Sequence, residues 1–155
     1  MSARIEGVEL KRLVRNPDER GFFEEIIRAS DPFFRSFAQL SWCRRGQGVV
    51  TAWHWHPTQW DWWFVAEGVA RVALHDLRSG SATQGMTWET VLSGAEPTVL
   101  AIPNRVAHGY KVLEGPMELI YVTSVEYNAT HPSPPEGEEG RIASDDPSIG
   151  YDWSR

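Results

Sequence analysis

The sequence predicts an all-β fold, an antiparallel barrel or sandwich formed by one domain spanning residues 1–155. Three observations carry this. Short runs rich in Val, Ile, Thr and aromatic residues recur at a spacing of roughly 8–12 residues, with Gly, Pro, Asn and Asp between them. No long helical pattern separates the runs, which argues against a parallel α/β sheet. The chain has 155 residues, 41% of them apolar and eight of them tryptophan, which suits one compact core and argues against disorder.

Taken in order, the expected strands are residues 22–28, 37–43, 49–56, 60–66, 69–75, 87–92, 98–102, 107–112 and 117–127. The first starts where Arg20-Gly21 punctuates the chain. Gly48 opens the third, and Pro57-Thr58-Gln59 turns it into the fourth. Gly68 separates the fourth from the fifth, and Pro103-Asn104 turns the chain before residues 107–112. Ser30 before Asp31-Pro32 suggests a helical turn over residues 30–37. From about residue 128 the chain becomes proline-rich and acidic. This reads as a loop-rich tail that wraps the surface before residues 149–153 dock back.

Composition also narrows the function classes. The net charge is −6 and no Lys/Arg-rich run exceeds short pairs such as Arg44-Arg45, so a nucleic-acid partner is not expected. No run approaches the ~18 apolar residues of a membrane helix, and residues 1–13 lack a signal-peptide core. The expectation is a cytoplasmic protein with no membrane partner. Cys43 is the single cysteine, so an internal disulfide is impossible, and a buried inert thiol is expected. His75, His131 and the acidic residues Glu136–Glu139 read as surface and loop positions.

The residues with chemical potential concentrate between Gly48 and Gly68. On a strand, His54 and His56 share one face while Trp53 and Trp55 take the other. The returning strand brings Asp61 towards the histidines, with Trp63 on the same parity, and His108 follows the turn at Pro103-Asn104. Two imidazoles, a carboxylate and a third imidazole can surround one divalent ion, with Fe, Ni, Mn, Cu or Zn as candidates. The same groups can equally serve as polar residues of a ligand pocket. This pattern resembles the cupin superfamily, whose first motif is matched by Gly48, His54, His56, Asp61 and Gly68, with Asp in place of Glu. Its second motif is matched from Pro103 to His108, with Arg105 where Gly is usual. The resemblance implies a cupin-type antiparallel β-barrel, or jelly roll.

A more extensive resemblance covers roughly residues 7–153. The stretches DERGFFEE (18–25), GVVTAWH (48–54), HDLRSGSATQG (75–85), IPNRVAHGYKVL (102–113), IYVTSVEYN (120–128) and DDPSIGYDW (145–153), together with Gln39, resemble the dTDP-4-dehydrorhamnose 3,5-epimerase family in order and spacing. This implies an isomerase without a cofactor, acting on a small molecule, a sugar or sugar nucleotide, as a homodimer. It also implies that His54 removes a proton beside a ketone and Tyr121 returns one from the opposite face. Arg20, Glu25, Gln39 and His108 are implied to contact substrate. Trp63 is the pocket candidate among the tryptophans, and Tyr127 shares the face of Tyr121 if the strand is regular.

The departures are as informative. A family Arg is Thr51 here, a family Lys is Asp61, and the family's His-x-Gln is His54-Trp55-His56. The Asp that orients the catalytic His in the family belongs to a segment beyond Arg155. Loss of two cations weakens a diphosphate site, so the standard rhamnose precursor is not the expected substrate. The same changes complete the His54/His56/Asp61/His108 ligand set of a metal-dependent isomerase, lyase or oxygenase. A non-catalytic binding cupin is the third reading.

Overall fold

A computed structural model describes residues 4–155, and among them there is no helix. Ten strands form: β1 (Glu9–Arg12), β2 (Asn16–Asp18), β3 (Gly21–Phe23), β4 (Gln39–Arg45), β5 (Val50–Trp55), β6 (Asp61–Asp76), β7 (Thr87–Ser93), β8 (Thr98–Ile102), β9 (Val106–Thr123) and β10 (Gly140–Arg141). All pairings are antiparallel, as the sequence predicted.

The architecture follows from two long strands. The sequence reads β6 and β9 as two strands each, split at Gly68 and near Gly115, but both run on through those points. Their register shifts between Val65 and Ala70, where bulges bend the ribbon without ending it. Gly68 makes this possible, with φ of +76°. A Cβ there would lie 2.6 Å from the carbonyl oxygens of both Glu114 and Pro116. Each long strand therefore serves two layers. One layer has the order β1-β8-β6-β9-β4, using the first half of β6 and the second half of β9; the other has β7-β6-β9-β5-β10, using the remaining halves.

Alternation along β6 then sorts the side chains. Trp63, Val65, Val72 and Leu74 join Leu100, Val106 and Val112 in the core between the layers. Trp62 and Phe64 face outward from the first layer beneath Ile26, Ile27, Phe33 and Phe34. Ala73 and Ala107 face outward from the second, under a cover made by Trp53, Ile142, Ile149 and Trp153.

Other differences from the expected elements have local causes. Residues 24–28 leave the ladder after β3 and cross the first layer, so only Gly21–Phe23 is strand. The helical turn over residues 30–37 does not form. Asp31 instead accepts the Arg28 N–H at 2.8 Å and the Lys11 ammonium at 2.8 Å, closing successive turns. β1 carries Glu, Lys and Arg on an edge, and charge there hides a strand from hydropathy. The tail is more than a wrap, because β10 pairs with the β5 edge, Gly140 opposite Trp55 and Arg141 opposite His54.

Arg105 stands at a left-handed φ of +57° in the turn that delivers His108. Its N–H donates to the His56 carbonyl at 2.8 Å, so the turn is tied to the end of β5. The left-handed region disfavours a side chain, and that of Arg105 is exposed, while its carbonyl accepts the Leu77 N–H at 3.1 Å, a bond that glycine keeps. Arg105→Gly is expected to raise stability by about 0.5–1 kcal/mol, since relief of that conformation exceeds the added freedom of the unfolded chain. An unchanged or lower urea midpoint would contradict this.

Candidate functional site

A cavity of about 380 Å³ opens between the layers. β5 delivers His54 and, just past its end, His56; β6 delivers Asp61 and Trp63; β9 delivers His108 near its start and Tyr121 near its end; β4 delivers Gln39. The shared parity of His54 and His56 holds despite a bulge between Thr51 and His54, because both side chains line the cavity while Trp53 is fully buried behind it. Tyr127 also lines the cavity, but not as a strand residue. β9 ends at Thr123, and Tyr127 sits in the following loop, where its N–H donates to the Gln39 amide oxygen, Oε1, at 2.9 Å.

His56, Asp61 and His108 converge. The Nε2 atoms of His56 and His108 lie 3.6 and 3.7 Å from the same atom, Asp61 Oδ2. His56 Nδ1 meets the Glu138 carbonyl at 2.7 Å and His108 Nδ1 meets the Val106 carbonyl at 3.0 Å. Asp61 is further held by the Gln59 amide at 2.7 Å and the Trp63 indole N–H at 3.2 Å. Trp63 in turn stands edge-on to His108, with ring centres 5.1 Å apart.

His54 stands apart from this cluster. Its Nδ1 lies 3.6 Å from Glu139 Oε1, and that oxygen also accepts from Arg141 at 2.9 Å. Glu138 is anchored beside it, accepting from the Thr58 N–H at 2.8 Å, the Thr58 hydroxyl at 2.6 Å and the Gln59 N–H at 3.0 Å. Two of the acidic residues that read as a solvated loop, Glu138 and Glu139, are thus drawn into the site, while Glu136 stays exposed. The carboxylate that faces His54 is Glu139, whereas the family resemblance implied an Asp in that place.

Electrostatics separates the three imidazoles. Burial lowers the pKa of His54, with the nearby Glu139 charge opposing it. Burial pushes His108 down to about 4 against the pull of Asp61. At His56 burial acts in the same sense, but Asp61 together with the Glu138 carbonyl outweighs it and raises the pKa. Burial likewise opposes the Asp61 charge, and His56, His108 and Gln59 together still hold its pKa low. Burial raises Tyr121, which pairs in register with Ser41, and so keeps the phenol protonated.

Two of the expected substrate contacts lie elsewhere in the single chain. Arg20 sits in the β2–β3 turn, exposed and paired with Asp18 at 2.6 Å. Glu25 is exposed and paired with Arg28 at 3.1 Å. Conversely, Arg45, Tyr110, Glu138, Glu139 and Arg141 line the cavity without having been singled out from the sequence. Cys43 lines it too, half-buried, 4.0 Å from the Tyr110 hydroxyl. His75 is buried, contrary to expectation, with Nδ1 2.8 Å from Thr87 Oγ1.

With a His on one layer and a Tyr on the other, the cavity suits proton transfer at two faces of one substrate. The sequence model described as dTDP-4-dehydrorhamnose 3,5-epimerase matches residues 2–155. The chain belongs to this epimerase family. It is 42% identical over 151 residues to the spore coat polysaccharide biosynthesis protein SpsL of Bacillus subtilis (strain 168), covering 97% of each chain. The crystal structure of a dTDP sugar isomerase from Desulfovibrio desulfuricans G20 superposes with a TM-score of 0.86 at 26% identity, covering 97% of this chain and 92% of that one. The dTDP-6-deoxy-D-glucose-3,5-epimerase RmlC from Legionella pneumophila Philadelphia 1, solved with dTDP-4-keto-L-rhamnose, gives a TM-score of 0.82 at 28% identity, with coverage of 98% and 81%. These matches establish the cupin-type jelly roll and the epimerase-type isomerase class for this chain.

Proposed function

We propose that this epimerase inverts a carbon beside the ketone of a nucleotide-linked keto-sugar, with His54 as base and Tyr121 as acid. One observation carries the reading. His54 stands on β5 in one layer and Tyr121 on the other layer's half of β9, and both line the cavity between them. A proton taken by one layer and returned by the other reaches the opposite face of the carbon, which is inversion. Glu139 orients His54 through Nδ1, leaving Nε2 to take the substrate proton. Gln39 supplies a polar contact for the sugar, Tyr127 stands at the mouth, and His108, packed against Trp63, lines the wall beside Asp61. The sugar-nucleotide class is supported by the ligand of the Legionella relative.

The diphosphate is held differently from the standard precursor in this reading. Thr51 offers no charge, so Arg45 and Arg141, both lining the cavity, are the cations for it. Arg20 and Glu25 reach substrate only from a second copy. A homodimer is supported by the exposed aromatic surface of Phe22, Phe23, Phe37 and Trp42 around the edges that carry them.

The test is solvent-deuterium exchange into a panel of 4-keto-6-deoxy sugars linked to different nucleotides, followed by NMR. The native enzyme incorporates deuterium beside the ketone and inverts configuration. Tyr121→Phe is expected to keep exchange at the base's face and lose inversion by about 10²-fold or more. Equal inversion by Tyr121→Phe would remove Tyr121 from the mechanism, and exchange with no member of the panel would overturn the epimerase reading.

A further inference from the structure

We propose that His56, Asp61 and His108 bind one first-row divalent transition-metal ion in the cavity, with His54 left outside the ligand set. Each of the three offers one ligand atom, and these atoms lie within 4.8 Å of one another. Two ligand atoms ~2.1 Å from a common ion sit roughly 3–3.5 Å apart at octahedral or tetrahedral angles. The 3.6 and 3.7 Å separations from Asp61 Oδ2 need only a slight contraction to reach that.

Orientation supports the site more strongly than distance. A backbone carbonyl only accepts hydrogen bonds, so the carbonyls of Glu138 and Val106 fix the protons of His56 and His108 on Nδ1. Both Nε2 lone pairs then turn towards one carboxylate oxygen. Three electron-rich atoms aimed at one another are stabilised by a cation among them, either a metal ion or a proton. Outer hydrogen bonds of this kind are how metal-binding histidines are oriented. Asp61 is steadied similarly by the Gln59 amide and the Trp63 indole. Among the described residues no Lys or Arg pairs with Asp61, although it is almost wholly buried.

Two imidazoles and one carboxylate favour Zn, Fe, Co, Ni or Mn over Ca or Mg. Three protein ligands leave coordination positions free, and all three residues line the cavity, so the ion would face whatever binds there. His54 is directed to Glu139 through Nδ1, so a base and a metal can coexist where the sequence pattern forced a choice between them. The proposal does not rest on the epimerase reading. A metal-free protein that exchanges substrate protons would overturn the site and leave that reading intact.

The experiment strips the full-length protein with a chelator, reloads it with Co²⁺ or Zn²⁺, and measures metal content and the Co²⁺ visible spectrum. One ion per chain is expected for the native protein and for His54→Asn. That uptake, with its Co²⁺ absorption, is lost in His56→Gln, His108→Gln and Asp61→Asn. Because removal of a buried group can unfold the chain, NMR of the Co²⁺-loaded native protein gives an independent reading. Two paramagnetically shifted exchangeable imidazole signals are expected, from the two Nδ1 protons. Uptake well below one ion per chain, uptake unaffected in folded ligand variants, or a count of shifted imidazole signals other than two overturns the proposal. The cluster would in that case be a proton-bridged ion pair.

Discussion

His54→Asn is expected to lower the rate of epimerisation and of solvent exchange by about 10³-fold, with the fold retained. The magnitude is that of a general base, whose removal costs roughly 10²–10⁴. Asn is close to His in reach but cannot accept the substrate proton at neutral pH. The side chain of His54 is about one-third exposed to the cavity (32%), so its replacement opens no void in the core. The substitution also leaves β5 undisturbed, because the strand is held by its pairing with β9 and by Trp53 behind it. Circular dichroism establishes the fold, and NMR in D₂O reads the exchange. A variant that exchanges at the native rate would sink the assignment of His54 as base.

Trp153→Ala is expected to cost about 3–4 kcal/mol, in the range for truncating a buried tryptophan. Trp153 is 8% exposed, and its ring centre lies 5.0 Å from that of Trp53 and 4.6 Å from that of Tyr151. The other fastenings of the tail are polar: the two-residue β10 ladder, paired hydrogen bonds between Trp53 and Ile142 at 3.0 and 3.1 Å, Glu138 on Thr58 and Gln59, and Glu89 and Lys111 holding residues 151–155. Loosening it uncovers Trp53, which is fully buried, and withdraws Glu138 and Glu139 from the cavity. The loss corresponds to a fall in Tm of roughly 6–16 °C for a domain of this size. It should come with new proteolytic sensitivity around residues 129–139 and lower activity. A native Tm with a native digestion pattern would show that the tail is held by other means.

These expectations depend differently on sequence and on tertiary placement. The strand pairs residues 60–66 with 69–75, and 107–112 with 117–127, were found as patches because hydrophobic runs stop at Gly68 and Gly115. Their fusion into β6 and β9 was not legible, since a bulge keeps hydrogen bonding going where side-chain patterning lapses. The shared face of His54, His56, Asp61 and Trp63 was legible, because parity along a strand is a local property. Tyr127 was placed by extending that parity beyond Thr123, where β9 has ended.

The Glu136–Glu139 run shows the limit most clearly. Its sequence is that of a solvated loop, and no local feature marks Glu139 as a partner for His54. The neighbouring Gly140 is diagnostic only in the fold, where a Cβ would lie 2.1 Å from the Trp55 ring. Arg20 and Glu25 illustrate the converse, since motif order named them while the single chain leaves them at its surface.

By itself, then, the sequence determined the antiparallel β class, the family, and which face of β5 and β6 carries the imidazoles and the carboxylate. Those follow from periodicity and residue order, which act over a few neighbouring residues. Only the tertiary structure decided that His54 faces Glu139 while His56 and His108 share Asp61. That division depends on His108 reaching Asp61 and Glu139 reaching His54 across long stretches of chain, fixed by β9 and the tail meeting β5, and no local pattern encodes those two contacts.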